Sequence, residues 1–266
     1  MSNYLIGFSN YATEETEMSE RNGYEHGVPS WIAGAHADPD QAAAFYTELF
    51  GWDTERRGEH LVCTLRGGDV AGFVKGDEPA WRTHVWVESA DDTAARAREA
   101  GGTVLAEPAD VPGVGRTATL ADPAGAAFIV AEPDPHRGAE VVNEPAAWAM
   151  SELSTPDTEA SNAFYRAVFG WETDSFGPMT LFRLPGFVGG EPSQPVPRDL
   201  VAVGQPGETP RWSVGFWVDD VDAAADRAAE LGGAVISPPA DDVVGRTAIL
   251  ADPQGAPFAV SRVVPA

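Results

Sequence analysis

The pattern of apolar positions near the start of the chain predicts a strand followed by a helix. Residues 31–35 are a short apolar run typical of a buried strand. In the segment that follows, apolar side chains recur at helical spacing, at Ala42, Phe45, Tyr46, Leu49 and Phe50. Asp38 or Asp40 can cap the start of this helix, and Gly51 stands where a helix C-terminal glycine is favoured.

The same pattern occurs four times along the chain. THVWVES precedes an alanine-rich helical stretch that ends in Gly-Gly, and RWSVGFWVDD precedes another of the same kind. WAMSELS leads into TPDTEASNAFYRAVFG, which matches the first strand and helix. Short strands follow each helix, and DPAG and DPQG supply the turn that joins two of them. The chain therefore predicts an α+β fold built from four βαβββ units.

An internal duplication groups these units in pairs. GRTATLADPAGAAFIV at 115–130 and GRTAILADPQGAPFAV at 245–260 share 12 of 16 residues, and AFYTELFGWDTE and AFYRAVFGWETD share 7 of 12. We therefore predict two tandem domains and a Pro-rich, charged linker. The predicted bounds are an N-terminal arm at 1–26, a first domain at 27–135, the linker at 136–144 and a second domain at 145–266. The second copy is longer at 184–210, a Pro- and Gly-rich segment that is a candidate lid.

These motifs, in this order and seen twice, resemble the glyoxalase/bleomycin-resistance/extradiol-dioxygenase superfamily, also called vicinal oxygen chelate. The motifs are the FYxxxFGW helix, a second helix that ends in AGG or LGG, and the closing DPxGxxFxV hairpin. The chain is most similar to actinobacterial tandem glyoxalase-like proteins that are often labelled hydroxylase. The resemblance implies sheets that curl into cups, with helices packed outside. Many members bind a small molecule in the cup, beside a divalent metal held by His, Gln or Glu.

The resemblance also implies four metal-ligand positions in each copy, and this chain has lost nearly all of them. In the first copy they fall on Trp31, near Gly72, on His84 and on Ile129; in the second they fall on Met150, near Gly190, on Gly215 and on Ala259. Only His84 can coordinate a metal, and His36 and a carboxylate would have to join it to build a site. Residues 141–266 contain no histidine. We therefore expect no metal and no other cofactor.

Tryptophan and methionine take the place of ligands in the predicted cups. Strand alternation puts Ala33, Ala35 and Glu88 on the cup faces beside the ligand-binding candidates. Those candidates are Trp31, Trp86, Trp148, Met150, Gly215 and Trp217. Such side chains bind flat, apolar or aromatic molecules by contact area and stacking. The alternative is that they fill the sheet interior, which we favour for Trp148; Trp52 and Trp171 are interpreted as structural.

Two residues are candidate acids or bases. Glu152 stands two positions from Met150 on an apolar strand face, where a carboxylate is costly unless it is solvated, paired or protonated. It either pairs with Arg183 or Arg211 at a wet cup mouth, or acts as a general acid or base or a polar anchor for a ligand. His84 is likewise either a hydrogen-bonded interior residue or a catalytic one. Because Glu152, Gly215 and the candidate lid coincide in the second cup, the sequence favours that cup as the functional one.

The composition limits which classes of partner the protein can bind and in which cellular compartment we expect it. Lys+Arg 17 against Asp+Glu 41 gives a net charge of −24, which disfavours nucleic acid and anionic membrane surfaces. A single cysteine, Cys63, excludes an internal disulfide. We expect a soluble, cytoplasmic monomer or homodimer whose partner is a small aromatic or apolar molecule. The favoured function is sequestration or carriage of that molecule without a metal. The alternative is a metal-independent hydroxylase-, isomerase- or lyase-like enzyme of aromatic metabolism that uses Glu152 or His84.

Overall fold

The computed structural model describes residues 23–189, 197–241 and 245–263. Within these residues the four predicted β-α-β-β-β units follow one another in the predicted order. The α+β class and the pairing of units into two repeats are therefore confirmed. Of the predicted arm, residues 1–22 lie outside the described part of the chain.

Within the described residues, each repeat has eight strands and two helices. The elements of the first repeat are β1 Pro29–His36, α1 Pro39–Phe50, β2 Asp53–Arg57, β3 His60–Leu65, β4 Gly68–Lys75, β5 Ala80–Trp86, α2 Ala90–Glu99, β6 Thr103–Val111, β7 Gly115–Ala121 and β8 Ala127–Pro133. The elements of the second repeat are β9 Trp148–Thr155, α3 Thr158–Phe169, β10 Glu172–Phe176, β11 Met179–Arg183, β12 Leu200–Pro206, β13 Arg211–Trp217, α4 Val221–Glu230, β14 Ala234–Asp241, β15 Gly245–Ala251 and β16 Pro257–Val263.

The helices begin and end where their sequences predict. The carboxylate of Asp38, rather than that of Asp40, caps α1 by accepting from the backbone N–H of Gln41. Gly51 closes the helix in the left-handed conformation at φ 74°, which a residue without a Cβ adopts at little cost. Asp157 and Gly170 do the same for α3. These local signals position the first strand of each repeat against its helix.

The two sheets have the same topology. The strand order is β2-β3-β4-β1-β5-β8-β7-β6 in the first and β10-β11-β12-β9-β13-β16-β15-β14 in the second. In the first sheet Ala33 lies opposite Gly72 on one side and Arg82 on the other. The corresponding residue of the second sheet is Glu152, which lies opposite Val203 and Ser213.

This register corrects two expectations about the second repeat. The counterpart of Gly72 is Val203, whereas Gly190, the residue expected there, lies outside the described residues. Within the candidate lid at 184–210, residues 200–206 form β12 and pair with β9 in parallel. The composition of the segment suggested a loop because prolines and glycines flank this strand. The part of the segment at 190–196 lies outside the described residues.

The two repeats share their hydrophobic cores. One buried cluster joins α1 and β1 of the first repeat to β13, β16 and α4 of the second, and includes Trp52 and Phe216. The other joins the second unit of the first repeat to α3, and includes Trp171. Both indoles are almost fully buried, as the structural interpretation predicts. The helices of one repeat thus pack against those of the other, α1 on α4 and α2 on α3.

A buried polar network crosses this contact on each side. The Asp252 carboxylate lies 2.6 Å from Nε2 of His36 and accepts from the hydroxyl of Tyr46 at 3.2 Å, and Trp81 donates to that hydroxyl at 2.9 Å. Burial opposes ionisation of Asp252, but His36 and the backbone N–H groups of the following turn outweigh it and lower its pKa. The pKa of the Tyr46 hydroxyl is raised by burial and by this carboxylate, so Tyr46 is a neutral donor.

The second side repeats the network with different residues. Asp122 accepts from Ser161 at 3.0 Å and from the hydroxyl of Tyr165 at 3.4 Å, and Trp212 donates to that hydroxyl.

The contact between His36 and Asp252 makes His36 a structural residue on the helix-bearing face of β1, held against the other repeat. Its position excludes it from any site in the first cup.

No helix among the described residues is long and apolar enough to cross a membrane.

Candidate ligand-binding site

The concave face of the first repeat forms a cavity of about 1120 Å³ that is open to solvent on one side. Trp31, Ala33 and Ala35 line it from β1, as the alternation of that strand predicts, and His84 lines it from β5. Val85, the next residue of β5, points to the helix side and belongs to the core. The central strands therefore direct alternate side chains into the cup.

The segment that joins the repeats forms one wall of this cavity. Pro135, Gly138 and Glu140 line it. The backbone N–H of Ala139 donates to the carbonyl of Ser30 at 2.7 Å, and Glu140 exchanges two hydrogen bonds with the backbone of Asp69. The predicted linker is thus a fixed part of the site. The apolar residues at 141–142 are buried in the core, and they are the feature of the sequence that could have indicated a packed segment here.

Three histidines line the cavity, of which the sequence analysis had singled out only His84. The other two are His60, on β3, and His136, in the wall segment. The strand pattern could place His84 because β5 has a recognisable period. His60 follows a turn and His136 follows Pro135, so neither occupied a position that the pattern could assign to the cup.

Burial keeps two of these imidazoles neutral. The pKa of His84 is lowered to about 3, first by burial and then by His136 and His60. The pKa of His136 is also lowered, chiefly by burial. Nε2 of each is buried and has no hydrogen-bond partner among the described residues. Nδ1 of His136 accepts from the N–H of Gly138 at 3.2 Å, so its neutral ring carries the proton on Nε2. These rings can exchange hydrogen bonds with a ligand without adding charge.

The residues at the family's ligand positions do not form a metal site. Trp31 lies opposite His84, and His84 lies opposite Ile129, so the structure brings these three positions together. Only His84 among them has a donor atom for a divalent ion. Within the described ranges, no group of three or more His, Cys, Asp and Glu side chains is placed to hold a metal. The donor set in the first cup therefore does not fit the metal that the fold family implies.

The tryptophans of the predicted cup walls differ in their surroundings. Trp31 lies on the wall, is 7% exposed, and meets the ring of His136 edge-on at a centroid distance of 4.4 Å. Trp86 was expected on the same wall but packs instead on Tyr24, with ring centroids 6.1 Å apart. The residues before β1 cross the end of β5 beside this ring, with the N–H of Gly27 bonded to the carbonyl of Trp86, and a ligand-binding role of Trp86 stays a prediction.

The remaining tryptophan candidates lie in the second repeat. The backbone of Trp217 pairs with residues 145–147 at the end of β13. Trp148 is buried in the core shared by the repeats, as the core-filling interpretation predicts. Together with Met150, Tyr24 and Phe187, Trp148 also lines a small crevice of about 60 Å³.

The concave face of the second repeat carries Glu152 and an open position at Gly215. A Cβ added at Gly215 would meet no atom closer than 3.7 Å, which agrees with the expected space. Glu152 accepts a hydrogen bond from Nε2 of Gln205. Arg183, one of its two expected partners, binds Asp174 and Asp199.

The second cup remains a prediction as a functional site. By the repeat offset, residues 242–244 correspond to 112–114, which line the first cavity. Residues 242–244 and 190–196 lie outside the described residues. A large cavity lined by described residues lies in the first repeat, and this cavity is the candidate site.

Known proteins are similar to this chain in both repeats. Residues 31–131 and 148–261 each match the family model of the glyoxalase-like domain. A protein of Mycobacterium bovis named "Putative glyoxylase CFP32" is 35% identical over 268 residues, covering 93% of this chain and 99% of that protein. The anthracycline biosynthesis protein DnrV of Streptomyces peucetius is 34% identical over 257 residues, covering 88% of this chain and 92% of the relative.

Solved structures show the same fold at lower identity. The Mn(II)-bound glyoxalase of Novosphingobium aromaticivorans matches with a TM-score of 0.61 at 18% identity, over 90% of this chain and 84% of that chain. The 2,3-dioxygenase LapB of Pseudomonas sp. KL28 matches with a TM-score of 0.60 at 13% identity, over 89% and 92%. With a family model on both repeats and full-length relatives at about a third identity, the chain belongs to the glyoxalase-like family of the vicinal oxygen chelate superfamily.

Proposed function

We propose that the first cup binds a flat, largely aromatic small molecule and does so without a bound metal. The observation that carries the proposal is the cavity itself, which is lined by β1, β5 and the segment between the repeats. Small-molecule sites are concave, mostly apolar, and typically about 300–1,000 Å³ in volume, with a few polar groups that fix orientation. At about 1120 Å³ the first cup is slightly larger than that range, and it combines Trp31 and Ile129 with two neutral histidines.

The ligand class is supported by a named relative. DnrV is named for anthracycline biosynthesis, and its similarity extends over 88% of this chain. An anthracycline contains a flat, fused aromatic ring system, which suits a wall of indole, imidazole and aliphatic side chains. The same chemistry motivated the sequence-based expectation of an aromatic partner.

Acid or base catalysis by His84 is the less favoured function. A general base works best when its pKa lies near the working pH. The pKa of His84 is lowered to about 3, so the imidazole is a weak proton acceptor at neutral pH. We therefore assign His84 a hydrogen-bonding role toward the ligand. Glu152, the other candidate acid or base, belongs to the second repeat and does not line this cup.

Titration calorimetry with a hydroxyanthraquinone tests the binding proposal. We expect one molecule to bind per chain. Trp31→Ala should weaken binding roughly tenfold, because it removes the indole wall and loosens His136. Met150→Ala changes the corresponding position of the second repeat and is the matched control, for which we expect unchanged affinity. Absence of binding, or weakening by Met150→Ala alone, would overturn the proposal for this cup.

Elemental analysis tests the absence of a metal. Protein purified without chelators is expected to contain no stoichiometric zinc, nickel, iron or manganese, since three of the four family positions in the first cup cannot coordinate. The matched variant is His84→Gln, which removes the one donor among the four family positions of this cup. One equivalent of metal that survives dialysis in the parent protein and disappears in His84→Gln would contradict the metal-free proposal.

A further inference from the structure

The charges that line the first cavity differ from those of the chain as a whole. Acidic residues outnumber Lys and Arg by 41 to 17 in the chain, whereas three arginines and three carboxylates line the cavity. The three arginines are Arg57, Arg82 and Arg137. The cup is therefore a region of balanced charge in a strongly anionic protein.

The arginines are not equally available to a ligand. Both terminal nitrogens of Arg57 bind the Asp69 carboxylate, at 2.5 and 2.9 Å, and Arg57 also binds Glu55. The other carboxylates of the lining are Glu140, which accepts from the backbone N–H of Asp69, and Glu59, at the exposed turn between β2 and β3. Among the described residues, Arg82 and Arg137 have no carboxylate partner.

Arg82 is the more deeply placed of the two. It lies on β5, two residues before His84, and is paired with Ala33 of β1 at the centre of the sheet. Its side chain is partly buried, and its hydrogen bond among the described residues runs to the carbonyl of Trp81 at 3.4 Å, beyond the usual range for a strong bond. Arg137, by contrast, belongs to the wall segment between the repeats.

The second repeat carries a charge of the opposite sign at the corresponding pair of positions. Where the first sheet pairs Ala33 with Arg82, the second pairs Glu152 with Ser213. At one pair of positions, the first cup thus has a cation and no acid, and the second has an acid and no cation. The fold needs neither charge there, since each repeat forms the same sheet without the other repeat's charged residue. This exchange points to recognition of ligand charge.

We propose that the first cup selects an anionic aromatic ligand, an aryl carboxylic acid or an acidic phenol, and that Arg82 is the residue that recognises its negative group. This inference rests on the proposed binding function of that cup. The guanidinium offers paired N–H donors that match a carboxylate. His84, neutral and adjacent on the same strand face, supplies a further hydrogen bond without competing for the anion. The aromatic body of the ligand then lies toward Trp31 and Ile129.

The test compares two ligands of one shape by titration calorimetry of the full chain. An anthraquinone carboxylate carries the anion, and the corresponding methylanthraquinone does not. The parent protein is expected to prefer the carboxylate by at least about tenfold, the usual value of a hydrogen-bonded charge in a partly buried site. Arg82→Gln should abolish the preference and leave the affinity for methylanthraquinone unchanged. Arg82→Lys, which keeps the charge, should restore part of it.

Arg166→Gln, on α3 and outside the cavity lining, is the matched control and should leave the preference unchanged. Arg137→Gln changes the other cavity arginine without a carboxylate partner among the described residues, and tests it as the competing anion site. If Arg82 recognises the anion, the carboxylate is still preferred in Arg137→Gln. Equal affinities of the parent protein for the two ligands, or loss of the preference in Arg137→Gln alone, would overturn the role of Arg82 while the proposed binding function stands. If neither ligand binds, the proposed function fails together with this inference.

Discussion

Replacing Asp252 by alanine is expected to lower the free energy of unfolding by about 3–5 kcal/mol, because two buried donors lose their acceptor at about 1–3 kcal/mol each. Asp252 is 3% exposed and joins His36 and Tyr46 of the first repeat to the final hairpin of the second. Its loss leaves both donors buried without their acceptor, and frees two backbone N–H groups in the turn that follows. Urea unfolding followed by tryptophan fluorescence measures the change.

The duplication provides a comparison within the same chain. Asp122→Ala, in the equivalent network, is expected to destabilise by a similar amount, because Ser161 and Tyr165 lose the same acceptor. Asp226→Ala, at an exposed position of α4, is the control and should change stability little. A loss below about 1 kcal/mol for Asp252→Ala would show that the network does not hold the repeats together.

Filling the first cup is expected to prevent ligand binding while the protein stays folded. Ala33→Phe places a ring at the centre of the concave face, between Gly72 and Arg82. The corresponding position of the second sheet holds a glutamate in the same backbone register, so a larger side chain is compatible with the strand. The phenyl ring occupies volume that the planar ligand needs, so we expect at least a tenfold loss of affinity for the hydroxyanthraquinone, about 1.4 kcal/mol.

The matched variant is Glu152→Phe, which fills the same position of the second cup. The comparison shows which of the two cups binds the ligand, because the sequence favoured the second cup and the described cavity lies in the first. We expect Glu152→Phe to bind the hydroxyanthraquinone with unchanged affinity. The opposite pattern, with binding lost in Glu152→Phe and retained in Ala33→Phe, would return the function to the second cup. Circular dichroism establishes that both variants are folded.

Most of the fold could be predicted from patterns of residues that are close together in sequence. The helix at 39–50 was predictable because a capping aspartate, a 3.6-residue apolar period and a C-terminal glycine agree with one another. The repeat then transferred the same assignment to 158–169. The alternation of β1 placed Trp31, Ala33 and Ala35 on the cavity wall for the same reason. Each of these inferences needs only neighbours in sequence.

The parts that sequence reasoning missed depend on contacts between distant segments. His36 bonds to Asp252, 216 residues away, and nothing in its own strand indicates that partner. His136 became part of the site because the segment between the repeats returns over β1 and β4, a path fixed by backbone hydrogen bonds to Ser30 and Asp69. The strand at 200–206 was hidden by the prolines and glycines around it, which indicate turns at its ends rather than the absence of a strand.

A crystal structure of the chain grown with the hydroxyanthraquinone tests the central claim most directly. We expect electron density for one planar molecule in the first cup, between β1, β5 and the segment at 135–140, within contact distance of Trp31 and His84. We also expect no metal peak beside the His84 ring. Density confined to the second cup or to the outer surface, with the first cavity filled only by water, would contradict the account.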